Sequence, residues 1–156
     1  MSGMRIEIVL FDGFDEMDAI APFEVFRTAA ELGAPIEAEL VGAHGAATVT
    51  ASHGARIVVD RGPAEARDLM LVPGGGWFHG PGVRAEIERG VLTSTLVAAH
   101  EAGSILGSVC TGAMLLAATG LLEDGRRPPT TRRSLTSGPP ARAWSTERAS
   151  STTATS

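Results

Sequence analysis

The chain contains one cysteine, and it sits in the stretch "SVCTG", Ser108 to Gly112, between an apolar run that reads as a strand and another that reads as a helix. Small residues two before and two after a nucleophile let a strand turn sharply into a helix and push the reactive side chain outward, as in the nucleophile elbow. A thiol held at the start of a helix also meets partial positive charge that favours the thiolate. The plainer alternative is that Cys110, beside Ile105, Leu106 and Val109, is a small buried hydrophobe. Turn, glycine and position together favour the reactive reading.

Two further stretches could serve the same chemistry. "LVPGGG" ends a strand-like run, and Gly74, Gly75 and Gly76 can bring backbone N–H groups close to a ligand, although a tight turn would use the same residues. Beside the elbow, these amides would form half of an oxyanion site, with the N–H of Thr111 as the other half. The acidic loop "DGFDEMDAIAP" supplies Asp12, Asp15, Glu16 and Asp18. Most of these are expected to be solvated or to cap a helix, while one could face the crevice as a general acid or base. His44, His53, His79 and His100 show no ligand spacing, so no metal and no cofactor are expected. His79, near the glycine turn, could border the pocket, but a surface position is the simpler expectation.

These residues need elements to hold them. Met4 to Phe11, "MRIEIVLF", reads as a strand, followed by an apolar-periodic helix over Ala19 to Leu32 with Pro22 in its first turn. Ile36 to Ala43 and Arg56 to Asp60 read as strands joined by a loop or hairpin, and Asp68 to Val72 as a further strand. A helical pattern runs from Val83 to Glu101 with Gly90 as a candidate break, and leads into the strand "SILGSV". Near-continuous apolar strands alternating with helices predict an α/β sandwich around a mostly parallel sheet. In such sheets sites form outside the carboxyl ends of the strands, where Cys110 lies.

Composition narrows the partners. The 156 residues include 13 basic and 18 acidic side chains, a net charge of −5. Without a basic face, nucleic acid is not an expected partner. A single cysteine forms no intramolecular disulfide, there is no N-terminal targeting pattern, and no apolar run approaches the ~20 residues of a membrane span. A cytoplasmic protein acting on a small molecule is the expectation. The pattern supports one domain over residues 1–125. Residues 126–156 are rich in Ser, Thr, Arg, Pro and Ala, with Leu135 and Trp144 as their large apolar side chains, and read as a low-complexity, disordered tail. The last strand would then have an unpaired edge or an uncovered apolar face.

Taken together, "DGFDEMDAIAPFEVF", "LVPGGGW" and "SVCTGAMLLAATGLL" resemble the DJ-1/PfpI (ThiJ/PfpI) superfamily, and within it the isonitrile hydratase-like members, over about residues 4–131. The resemblance implies a flavodoxin-like, class I glutamine amidotransferase-like three-layer sandwich, a homodimer, and Cys110 as nucleophile. Asp18 would take the place of the acid that contacts the cysteine, where many relatives carry Glu, and Gly75 and Thr111 would frame the oxyanion site. Two departures stand out. Thr111 occupies the position where amide-hydrolysing relatives place His, so no Cys–His pair is available in sequence, and "TTRR" at Thr130 to Arg133 replaces a "TTH". The further strand and closing elements of the family also have no counterpart, which implies a truncated or frame-displaced C-terminal part. The implied activity is a lyase-type hydration of isonitriles to N-substituted formamides. The alternative is a non-catalytic domain that senses a ligand or the redox state through Cys110.

Overall fold

A computed structural model describes residues 3–122. Residues 126–156, expected to form a disordered tail, lie outside the described residues. The elements run β1 (Met4–Leu10), α1 (Glu16–Glu31), β2 (Ile36–Gly42), β3 (Ala47–Thr50), β4 (Arg56–Val59), β5 (Leu69–Val72), α2 (Val83–Arg89), α3 (Val91–Glu101), β6 (Ile105–Ser108) and α4 (Gly112–Ala118).

Four strands form one sheet in the order β2-β1-β5-β6, all parallel. From β1 the chain first moves outward to β2 and later returns through β5 to β6 on the other side. Right-handed crossovers in opposite directions put α1 on one face and α2 with α3 on the other, giving three layers. The helix α4 packs with α2, α3 and β6. This is the α/β sandwich that the apolar strands predict, in the flavodoxin-like form that the family resemblance implies. Its order reverses between β1 and β5, and the crevice at their carboxyl ends is the place such sheets offer a ligand.

The centre of the sheet is covered on both faces, which is why Ile6 to Leu10 are buried without alternation. Glu7 is buried among them. Its carboxylate accepts from Arg61 Nη1 (2.6 Å), Arg67 Nε (2.7 Å) and the Ala64 N–H (3.0 Å), so both of its oxygens have a donor. Glu86 in α2 is the second buried carboxylate, paired with Arg89 (3.0 Å) and His44 Nε2 (2.9 Å).

Three local features sharpen or correct the sequence reading. The segment left as loop or hairpin is an antiparallel hairpin, β3 with β4, separate from the main sheet. Gly90, at φ +75°, does divide the long helical pattern into α2 and α3. Helix α1 starts at Glu16 rather than Ala19, because Asp15 is extended at its N-cap and its side chain accepts the Met17 N–H (3.0 Å). Pro22 consequently falls in the second turn, not the first, and its missing N–H deprives the Asp18 carbonyl of its i+4 donor.

At the other end of the sheet β6 is an edge among the described residues. Ile105 is 61% exposed and, with Leu106, Leu116, Leu121 and Leu122, lines an apolar groove of about 330 Å³. No helix of the described residues is long and apolar enough to cross a membrane.

Candidate functional site

The elbow is built from the end of β6. The Val109 N–H donates to the Val72 carbonyl (3.0 Å), which fixes the strand end, and the chain then turns at Cys110 with φ +51°. Among the described residues Cys110 is the one non-glycine residue with positive φ. Such a conformation costs roughly 1–3 kcal/mol and persists where surrounding structure enforces it. Here the enforcement is visible: the Gly112 N–H returns to the Val109 carbonyl (2.9 Å), the Ala113 N–H to the Cys110 carbonyl (3.2 Å), and a Cβ on Gly112 would collide with the Val72 and Pro73 carbonyls. The result is an exposed thiol.

Three other segments converge on it at Gly74. The Gly74 N–H donates to Asp18 Oδ2 (3.1 Å), which reaches down from the first turn of α1. A Cβ placed on Gly74 would lie 2.5 Å from that oxygen, 2.9 Å from Thr111 Oγ1 and 3.0 Å from Cys110 Cβ. Asp18, Thr111 and Cys110 thus surround a residue with no side chain. Thr111 is tied to the same turn: its Oγ1 accepts the Gly75 N–H (3.0 Å) and donates to the Gly75 carbonyl (3.1 Å). All five residues singled out in the sequence, Cys110, Asp18, Thr111, Gly74 and Gly75, come together.

Their hydrogen bonds differ from the sequence expectation in one respect. The amides of Gly74 and Gly75 do not face open space; each donates to a side chain of the site itself. Among the described residues, the N–H groups of Cys110 and Thr111 meet no backbone or side-chain acceptor.

The acidic loop divides its roles. Asp12 Oδ1 accepts the Thr50 N–H (2.9 Å), Asp15 caps α1, and Asp18 accepts the Gly74 N–H beside the elbow. Glu16 is engaged in a way that sequence gave no signal for, with partners 36 and 37 positions away. Its carboxylate accepts from Ser52 Oγ (3.2 Å), the His53 N–H (2.9 Å) and His53 Nδ1 (2.8 Å). Partial desolvation pushes that carboxyl up, but the bonds from the His53 side chain, its own backbone, and the Ala55 and His53 amides outweigh it and hold it at about 2. The same hydrogen bond and the charge of Glu16 raise His53 above its ordinary value. His79 is exposed and borders a separate cleft of about 390 Å³ with Asp12, Thr50, Ser52 and Gly76, on the hairpin side of the glycine turn. His44 is held by Glu86, and His100 lies beside the apolar groove at β6. Among the described residues no three His, Cys, Asp or Glu side chains are grouped to hold a metal.

Comparison with known proteins bears on this arrangement. A curated relative from Streptomyces lividans, described as an uncharacterized protein in the cpoL 5′ region, is 38% identical over 125 residues, covering 79% of this chain and 84% of its own. Among solved structures, Toxoplasma gondii DJ-1 in an oxidized form matches at 20% identity and TM-score 0.63, over 78% of this chain and 64% of its own. Drosophila melanogaster DJ-1beta matches at 21% identity and TM-score 0.59, over 76% and 61%. An AraC family transcriptional regulator from Pseudomonas putida matches at 25% identity and TM-score 0.60, over 78% and 63%. The chain therefore spans less than two thirds of the length of these solved structures. The family model described as DJ-1/PfpI family matches residues 4–139, and with the fold and elbow on which that match lies, the chain belongs to the DJ-1/PfpI family.

Proposed function

We propose that the chain hydrates small electrophiles of the isonitrile type to N-substituted formamides, with Cys110 as nucleophile. The observation that carries this reading is the convergence of the exposed Cys110, the Asp18 carboxyl and the Thr111 hydroxyl around Gly74. An isonitrile takes up nucleophile and proton at the same terminal carbon, so it needs an acid beside the thiolate.

The Cys110 thiolate forms a C–S bond to that carbon and the Asp18 carboxyl gives it a proton, leaving a thioimidate. The Asp18 carboxylate then takes a proton from water as the water oxygen bonds to the carbon. One water proton passes to nitrogen, the C–S bond breaks with its electron pair returning to sulfur, and the other proton returns to Asp18. The formamide leaves and the thiolate and acid are restored. Covalent catalysis of this kind replaces one difficult addition with two easier ones. The N–H groups of Cys110 and Thr111 would bind the oxygen in the second step.

Partner and place follow the same reading. A homodimer is proposed on α1, whose Met17, Val25 and Leu32 are exposed along the helix that carries Asp18, and the cytoplasm is the proposed compartment. The test is conversion of a simple isonitrile, followed by the formyl proton of the product. Wild type should turn over and Cys110→Ala should not. A folded wild type inert to a panel of isonitriles would replace this reading with the sensing one, in which Cys110 is oxidised or reports a ligand.

A further inference from the structure

A continuous run of hydrogen bonds connects the β3–β4 hairpin to the elbow. Glu16 grips the turn of the hairpin through Ser52 and His53, and the Ser52 N–H donates to the Phe14 carbonyl (2.8 Å). The segment before α1 is in turn sewn to the glycine turn: the Asp15 N–H donates to the Gly74 carbonyl (2.9 Å), the Gly76 N–H to the Gly13 carbonyl (3.0 Å), and Phe14 bridges Gly75. Gly74 and Gly75 then hold Asp18 and Thr111. Glu16 and Asp18 share the first turn of α1.

That turn needs an outside anchor. Pro22 cannot donate to the Asp18 carbonyl, so the turn carrying Asp18 is joined to the rest of the helix by one bond fewer than usual. At its start the turn is held by the Asp15 cap, by the backbone bonds that tie Phe14 and Asp15 to the hairpin and the glycine turn, and by the Glu16 grip, which is its side-chain link to Ser52 and His53. We propose that Glu16, by clasping Ser52 and His53, is a positioning residue that fixes the first turn of α1 and keeps Asp18 Oδ2 on the Gly74 N–H beside Cys110. Glu16 touches neither the thiol nor the space in front of it. Its effect on the site is carried by the turn that bears Asp18, and the catalytic half of the proposal rests on the reading of Asp18 as the acid.

The experiment is a double-mutant cycle between Glu16→Ala and Asp18→Ala in the full chain, read by isonitrile turnover and by the rate at which iodoacetamide alkylates Cys110. Misplacing a reacting group by about 1 Å costs up to ~10²-fold, so Glu16→Ala should lower kcat by ~10- to 100-fold with KM within about twofold. On the Asp18→Ala background the same substitution should change kcat and the alkylation rate by less than about twofold, because the group it positions is gone. Glu16→Gln keeps a carbonyl oxygen for the His53 N–H and should stay within about threefold of wild type. Additive effects of the two alanine substitutions overturn the proposal, and so does a Glu16→Gln variant as impaired as Glu16→Ala. If wild type does not turn over isonitriles, the functional reading fails by itself. The alkylation cycle still decides the positioning, with at least a threefold change expected for Glu16→Ala and no change overturning it. Should Glu16→Ala not fold, Ser52→Ala combined with His53→Ala takes its place in the cycle under the same criteria.

Discussion

Gly74→Ala is the smallest perturbation that reaches the whole site at once. The added Cβ would stand 2.5 Å from Asp18 Oδ2, 2.9 Å from Thr111 Oγ1 and 3.0 Å from Cys110 Cβ, whereas ordinary contact begins at 3.4 Å. Asp18 Oδ2 alone must therefore retreat by about 0.9 Å, the difference between 3.4 and 2.5, and the Cys110 carbon cannot yield easily because the elbow fixes it. Overpacking of this kind costs about 1–3 kcal/mol of stability, and a shift near 1 Å in a reacting group costs up to ~10²-fold in turnover. The assay is paired: denaturant unfolding for stability and isonitrile conversion for activity. Gly107→Ala is the control, since its Cβ would meet mainly the mobile end of Leu71 at 3.1 Å. It should cost less stability and leave turnover within about threefold. A Gly74→Ala chain with wild-type turnover and stability would refute the claim that Gly74 is where the site's groups meet.

Two other outcomes follow from charged groups. Replacing Glu7 with Gln removes the buried charged partner of Arg61 and Arg67; breaking a buried pair costs about 3–5 kcal/mol, and because both arginines keep some access to water the loss by denaturant unfolding should fall at the lower end, about 3 kcal/mol. A loss below about 1 kcal/mol would mean that Glu7 is dispensable to the sheet. The Glu16–His53 pair sets a pH window. His53 is raised in the fold, so its contribution is complete below the ordinary histidine value of 6.5 and fades as pH rises through the raised one. Glu16 is lowered from 4.5 to about 2, so its contribution is complete above 4.5 and fades as pH falls toward 2. Unfolding of wild type minus that of His53→Gln should differ most between those limits and converge at alkaline pH; a difference that grows with rising pH would reverse the assignment.

The parts of this molecule legible in sequence are those whose cause is local. Leu69 to Val72 announces a covered parallel sheet by the absence of polar alternation, and Ser108-Val109-Cys110-Thr111-Gly112 announces a sharp turn because only small residues fit beside it. Helix α1 begins three residues before its apolar periodicity does, because Asp15 is in sequence one acid among several and only its geometry marks it as the cap. Strand β4 is legible as Arg56 to Asp60, whereas its hairpin partner β3 is four residues in a Gly- and Ala-rich stretch, too short for a period to show. Glu7 with Arg61 and Arg67, and Glu16 with His53, join positions 37 to 60 apart, and nothing in the residues between them records the pairing.

The glycine amides show how a local pattern can be read correctly for position and incompletely for use. Three glycines after a strand place N–H groups beside the elbow, but whether those N–H groups face a ligand depends on what else reaches them. Here Asp18 and Thr111 reach them first. The consequence is chemical as well as structural. Amide hydrolysis develops a full oxyanion in its first step and requires free donors aimed at it. Addition to an isonitrile develops its charge at carbon and is relieved by a proton to the same atom, so a carboxyl beside the thiol matters more than a ready oxyanion site. A site that spends one backbone donor, the Gly74 N–H, on holding an acid and a second, the Gly75 N–H, on Thr111, which stands where a histidine would complete a Cys–His pair, suits the second chemistry better than the first.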